Sequence, residues 1–138
     1  MYQHESKVRV RYAETDQMGY VYYGNYAQYY EIGRVELIRS LGFSYKDLED
    51  QGIMLPVLDF KIRYIRPAFY DDELTIITTV KNMPSTRITF HFECKNAAGD
   101  LLNFGEVVLV FVNKSTGKPC APSEEIVQRL QPYFSEHA

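Results

Sequence analysis

From Lys7 to Tyr12 the chain alternates, with Val8, Val10 and Tyr12 on one side and Lys7, Arg9 and Arg11 on the other. This period of two predicts a half-buried strand over residues 7–12. The segment from Ala13 to Tyr23 has no period, and Thr15-Asp16-Gln17-Met18-Gly19 within it reads as a turn. From about Gly24 the period lengthens. Tyr26, Tyr30, Gly33, Leu37 and Leu41 recur at helical spacing, which predicts an amphipathic helix. Asn25 is placed to cap its start, and Gly42 to end it in the left-handed conformation. A glycine in mid-helix costs about 1 kcal/mol against alanine. Gly33 therefore predicts close approach of the helix to something flat, such as a sheet. Ser44-Tyr45-Lys46-Asp47 predicts a short second helix ending near Gly52.

The rest reads mostly as strand. From Val57 to Ile65, Leu58, Phe60, Ile62 and Tyr64 lie opposite Asp59, Lys61 and Arg63, until Arg66-Pro67 breaks the pattern. Glu73 to Val80 is rich in β-formers, and Asn82-Met83-Pro84-Ser85 closes it. From Thr86 to Lys95, Ile88, Phe90, Phe92 and Cys94 alternate with Arg87, Thr89, His91 and Glu93. Asn96 to Asp100, with Gly99, predicts a hairpin turn into a long strand from Leu101 to Asn113. Ser115 to Lys118 turns the chain again. Ser123 to Leu130 predicts a terminal helix with Ser123 as its N-cap and Glu124 and Glu125 in the first turn, where the helix dipole favours negative charge. The order is β-α-β-β-β-β with a tail helix. Short turns make the last three strands antiparallel neighbours. The expectation is one α+β domain over 1–138, a sheet wrapped on a central helix.

Composition agrees with a single globular domain: 138 residues, 46% hydrophobic and 24% charged. The formal net charge of -3 provides no basic footprint for nucleic acid. The longest apolar run, Val107 to Val112, falls far short of the roughly 20 residues that span a membrane. The opening Met1 to Lys7 lacks the apolar stretch of a signal peptide, so the cytoplasm is the expected compartment. Cys94 and Cys120 are expected as free thiols. His4 and His137 sit near the ends, leaving His91 as the one histidine inside the domain. Four clustered Cys or His ligands are not available, so no structural zinc site is expected; no other metal and no cofactor is expected either. Enzymatic chemistry here would fall to carboxylates, backbone amides or tyrosines.

No GxSxG elbow, phosphate-binding P-loop or GxGxxG occurs. The segment Arg9 to Tyr26 instead places Asp16 in a strand-to-helix loop just ahead of a helix N-terminus, where free backbone N–H groups form an electropositive site. An oxyanion developing on those amides would face Asp16. Each of these residues also has a purely structural reading. Asp16 forms turns, the tyrosines clustered from Tyr20 to Tyr30 pack cores and interfaces, and His91 lies on a polar strand face. Glu31 and Arg34 make a helical i,i+3 pair. Arg63, Arg66 and Arg87 are solvated strand charges that together could meet a phosphate.

On Thr15-Asp16-x-x-Gly19-x-Val21, then Tyr22, Asn25-Tyr26 and Tyr30-Glu31-x-x-Arg34, the stretch from Val8 to about Arg39 resembles the opening of the 4-hydroxybenzoyl-CoA thioesterase family of hotdog-fold proteins. The resemblance implies a five-stranded antiparallel sheet around the long helix. It also implies dimers, often paired into tetramers, with active sites at the subunit interface. It assigns Asp16 the catalytic carboxylate and the Tyr23 backbone N–H the polarisation of the thioester carbonyl. Gly19, Val21, Tyr22, Asn25 and Tyr26 fall at the substrate site, and Arg63, Arg66 and Arg87 are candidates for the CoA phosphates. Tyr20 stands where the family more often has a smaller aliphatic residue or a histidine, and Tyr23 where many acyl-CoA members have histidine. The implied activity is hydrolysis of an acyl-CoA to free acid and CoA. Two other readings are a non-catalytic acyl-CoA binding domain, in which Asp16 only forms a turn, and a hotdog dehydratase or hydratase. The latter normally needs a histidine beside the carboxylate, and none lies near Asp16 in sequence.

Overall fold

The computed structural model describes residues 1–134; His137 lies outside the described residues. In chain order the elements are β1 (Tyr2–Arg9), α1 (Asn25–Ser40), α2 (Tyr45–Asp50), β2 (Ile53–Met54), β3 (Val57–Tyr64), β4 (Glu73–Val80), β5 (Arg87–Lys95), β6 (Leu101–Val110), β7 (Val112–Asn113) and α3 (Glu124–Leu130). Five strands form one antiparallel sheet in the order β1-β4-β5-β6-β3. β2 and β7 make a separate two-stranded ladder.

The alternation in β4 and β5 decides which face is the core. Leu74, Ile76, Thr78 and Val80 of β4, with Ile88, Phe90, Phe92 and Cys94 of β5, are buried on one face. α1 covers that face with Tyr26, Tyr29, Tyr30, Gly33, Leu37 and Ile38. The close approach predicted from Gly33 is present. A Cβ on that residue would stand 2.5 Å from Thr78 Oγ1 and 2.8 Å from Ile76 Cγ2. Tyr30 stacks on Phe92 at 4.4 Å between ring centroids, and its hydroxyl donates to buried Asn103 Oδ1 at 2.6 Å. Gly42 ends α1 with φ +98°, and Ser44 caps α2 by accepting from the Asp47 N–H.

Several expectations need correction. The first strand runs from Tyr2 to Arg9, registered residue by residue against β4, whereas alternation of apolar residues begins only at Val8. Its early inward positions, His4 and Ser6, are polar and carry no hydrophobic signal. The chain leaves the sheet at Val10, so Tyr12 lies in a short 3-10 turn (Tyr12–Glu14) and is 78% exposed. Gly24, not Asn25, holds the N-cap position of α1. The strand expected from Leu101 to Asn113 breaks at Phe111, whose N–H turns to the Thr86 carbonyl, and resumes as β7. Ser123 precedes α3, but its hydroxyl is buried and makes no capping bond. In β3, Leu58 and Tyr64 remain 51% and 47% exposed because the strand is the outermost of the sheet, with no strand on its far side. Among the described residues no helix is long and apolar enough to cross a membrane.

Candidate active site

The loop between β1 and α1 is built around Glu14 and Asp16. Thr15 bridges Val21, the Asp16 N–H donates to the Tyr20 carbonyl at 2.8 Å, and the Gly19 N–H donates to the Asp16 carbonyl at 3.0 Å. Gly19 supplies the positive φ, +80°, that this reversal needs. The Asp16 side chain takes part. Its Oδ1 accepts from the Met18 N–H at 2.9 Å and the Tyr20 N–H at 3.2 Å. The turn-forming reading of Asp16 is therefore correct for one oxygen. Among the described residues, Oδ2 has neither a hydrogen-bond donor nor a cation partner. The loop docks on the segment after β3 through the Val21 N–H, which donates to the Ala68 carbonyl at 2.8 Å, and a Tyr20–Phe69 bridge.

Glu14 joins this loop to the helix. Its carbonyl accepts from the Tyr22 N–H at 2.9 Å and from Asn25 Nδ2 at 2.8 Å. The Asn25 side chain thus ties the loop down instead of capping α1. Ahead of the helix, the Tyr23 N–H has no acceptor among the described residues. The Tyr23 carbonyl receives the Tyr64 hydroxyl at 3.3 Å.

These elements enclose a cleft of about 270 Å³ that contains Asp16, Val21, Tyr23 and Tyr26 together. Met18, Tyr20, Tyr64, Ile65, Arg66 and Pro67 complete its lining. Tyr26 is buried and accepts from the Ala68 N–H at 3.2 Å, and burial pushes its phenol up to about 12. Burial raises the Tyr64 phenol as well. Both are neutral at pH 7, available for hydrogen bonding and not for base chemistry.

Gly19, Tyr22 and Asn25 lie outside the lining and support it. Tyr22 packs its ring on Tyr23 at 4.7 Å. Of the three arginines, Arg66 alone lines the cleft, and it pairs with Asp100 at 3.5 Å. Arg63 faces a separate depression on the outer sheet surface with Lys61, Lys81 and His91. Arg87, at the start of β5, lines neither. His91 pairs across strands with Glu106 at 3.9 Å, and burial with nearby Lys81 pulls its pKa below 6.5. A larger hollow of about 770 Å³ lies between α1, α2 and residues 53–56; Glu31 and Arg34 line it, but the Asp16 loop does not reach it. Among the described residues no three His, Cys, Asp or Glu side chains gather in a group that could hold a metal ion.

Sequence reasoning missed Tyr64, Ile65 and Pro67 as cleft residues, because only tertiary docking brings the end of β3 over the helix start. The one sequence signal was the Arg66-Pro67 break, which marks where the chain leaves the sheet. Glu14 was also missed; its spacing to Asn25 and Tyr29 means nothing until the loop folds back.

A family model described as the thioesterase-like superfamily matches residues 10–130. The putative acyl-CoA thioesterase YneP of Bacillus subtilis is 36% identical over 119 residues, 86% of each chain. The acyl-CoA thioester hydrolase YbgC of Escherichia coli is 37% identical over 124 residues, covering 90% of this chain and 92% of that one. Among solved structures, a DHNA-CoA thioesterase from Staphylococcus aureus superposes with a TM-score of 0.84 at 36% identity, covering 97% of this chain and 85% of that one. With a family match over most of its length, and with relatives of this identity along nearly the whole fold, the chain belongs to the thioesterase-like superfamily of hotdog-fold proteins.

Proposed function

We propose that this protein hydrolyses the thioester of an acyl-CoA, with Asp16 as nucleophile or general base and the Tyr23 N–H as the donor that polarises the acyl carbonyl. The observation that carries this reading is the pairing of two unsatisfied groups at one cleft. Asp16 is anchored through Oδ1 while Oδ2 has no partner, and the N–H of Tyr23 at the head of α1 has no acceptor. A thioester seated between them meets a carboxylate oxygen at its carbonyl carbon and a donor at its oxygen. Thiolate leaves readily, so no stronger base is needed. A positioned general base contributes about 10²–10⁴ in rate, and an oxyanion donor about 10²–10³. The names carried by the relatives at 36–37% identity agree with this chemistry.

Gly19, Val21, Tyr22, Asn25 and Tyr26 build or line the pocket in this reading. Arg66 is the cation nearest to hand for a CoA phosphate, while Arg63 and Arg87 would meet one only at a distance from the cleft. The hotdog arrangement takes α1 as the central helix about which the sheet curves. Its working form is a dimer, or a pair of dimers, joined along β3. That edge strand leaves Val57, Leu58, Phe60 and Tyr64 uncovered, an apolar row that a second copy of the chain would bury.

The test is thiol release over a panel of short, long and aromatic acyl-CoAs, comparing the wild type with Asp16→Asn. Turnover is expected to fall by about 10² or more in the variant with its fold retained. A folded Asp16→Asn protein that keeps full turnover overturns the assignment.

A further inference from the structure

Glu14 is placed where three parts of the site meet. Its Oε1 accepts from the Arg11 N–H and from the Tyr29 hydroxyl, both at 2.8 Å. Its own carbonyl holds Tyr22 and Asn25, one residue to either side of the Tyr23–Gly24 pair. Tyr29 is fully buried, one turn into α1. Its phenol is pushed upward by burial and by the Glu14 carboxylate, so it stays a donor. Asp16 begins two residues after Glu14, and the Thr15–Val21 bridge closes its loop from the same root. Glu14 thus ties the root of that loop to the first turn of α1.

We infer that Glu14 and Tyr29 are positioning residues, whose hydrogen bond holds the Asp16 loop in register with the first turn of α1 and so sets the gap between Asp16 Oδ2 and the Tyr23 N–H. This rests on the catalytic reading given above. Neither side chain lines the cleft, so the pair acts through backbone placement and not by touching substrate. Displacement of a reacting group by about 1 Å can cost about 10² in rate, which is the sensitivity that such a strut controls.

A natural control lies next door. Tyr30 is equally buried and also spends its hydroxyl on an internal acceptor, Asn103, but that bond ties α1 to β6 and not to the loop. Tyr29→Phe and Tyr30→Phe each delete one buried hydroxyl and keep the ring. Steady-state thiol release and the amide NMR signals of Met18 and Tyr20, the two donors to Asp16 Oδ1, are measured in both. In Tyr29→Phe, kcat is expected to fall about tenfold or more with KM held within about twofold, and the Met18 and Tyr20 amides are expected to shift. In Tyr30→Phe both readouts stay near wild type whatever the loss in melting temperature. Unmoved amides and unchanged kcat in Tyr29→Phe overturn the proposal. So does a kcat loss that Tyr30→Phe matches at equal loss of stability. If Tyr29→Phe fails to fold, Glu14→Ala removes the acceptor of Tyr29 together with that of the Arg11 N–H, and unmoved amides with unchanged kcat in that variant overturn the proposal. The amide signals report loop position without any turnover. A wild type that releases no thiol therefore sinks the hydrolase reading while the strut is still decided.

Discussion

The hydroxyl of Tyr64, at the end of β3, donates to the carbonyl of Tyr23, just before α1, at 3.3 Å. A strand at one margin of the sheet is thereby joined to the head of the helix that covers the sheet centre. The bond fixes the peptide plane adjoining the free Tyr23 N–H. Tyr64→Phe keeps the ring in the cleft and deletes only this tether. We expect kcat/KM to fall roughly three- to tenfold, the worth of one ordinary hydrogen bond of about 1 kcal/mol. Steady-state kinetics on the best acyl-CoA measures it, and an unchanged value means that the tether has no part in turnover.

Gly33 sets how near α1 can lie to β4. Alanine there regains about 1 kcal/mol of helix propensity, but its methyl meets Thr78 Oγ1 at 2.5 Å and Ile76 Cγ2 at 2.8 Å. Overpacking of this kind costs about 1–3 kcal/mol or more when backbone must shift. Gly33→Ala is therefore expected to lower the urea midpoint, despite the better helix former. A variant as stable as the wild type contradicts the close packing described here.

The row of uncovered side chains on β3 makes a further prediction. Leu58→Lys places a charge on the uncovered edge that two copies would share, near its start. Sedimentation is expected to show a monomer where the wild type is a dimer or larger, with thiol release lost in step. A wild-type protein that is already monomeric at assay concentration rules out association along this edge.

Alkaline stability draws on several buried acids, Tyr45, Tyr26 and Cys94 among them. Burial pushes Tyr26 from 10.0 to about 12 and Cys94 from 9.0 to about 12. The folded state thus keeps protons that the unfolded chain releases. Their stabilising effect is complete below about pH 9 and is lost as pH rises from there toward 12. Denaturant melts at stepped pH should show stability falling through that window. Tyr26→Phe should flatten the upper part, above pH 10, and an unchanged slope there would remove Tyr26 from the account.

Much of the framework was readable from the chain alone, and the reasons are local. β-former content in Glu73–Val80 and alternation in Arg87–Lys95 mark two strands, and in the fold both lie inside the sheet. Gly33 and Gly42 disclose their roles because few other residues suit those places. β1 begins earlier than its pattern suggests because pairing to β4, and not apolar content, defines it. For the site, Asp16 and Tyr23 were legible as parts of one loop. The enclosing residues Tyr64, Ile65 and Pro67 were not, since they lie at and just past the end of β3, some forty residues on in the chain, and meet the loop only through tertiary contacts. Arg63, Arg66 and Arg87 are near in sequence pattern yet separate in space, because Arg63 lies within β3, Arg66 lies past its end, and Arg87 pairs with Val110 at the opposite end of β6 from Arg63's partner Phe104.

The unequal treatment of the two Asp16 oxygens bears on the fate of solvent oxygen. In a covalent route, Oδ2 becomes the bridging atom of a mixed anhydride and Oδ1 stays a carbonyl held by the Met18 and Tyr20 amides. Those same amides would stabilise negative charge on Oδ1 when water adds to the side-chain carbon, directing an isotope label from water into the enzyme. If Asp16 instead only deprotonates the water, every labelled atom leaves with the carboxylic acid.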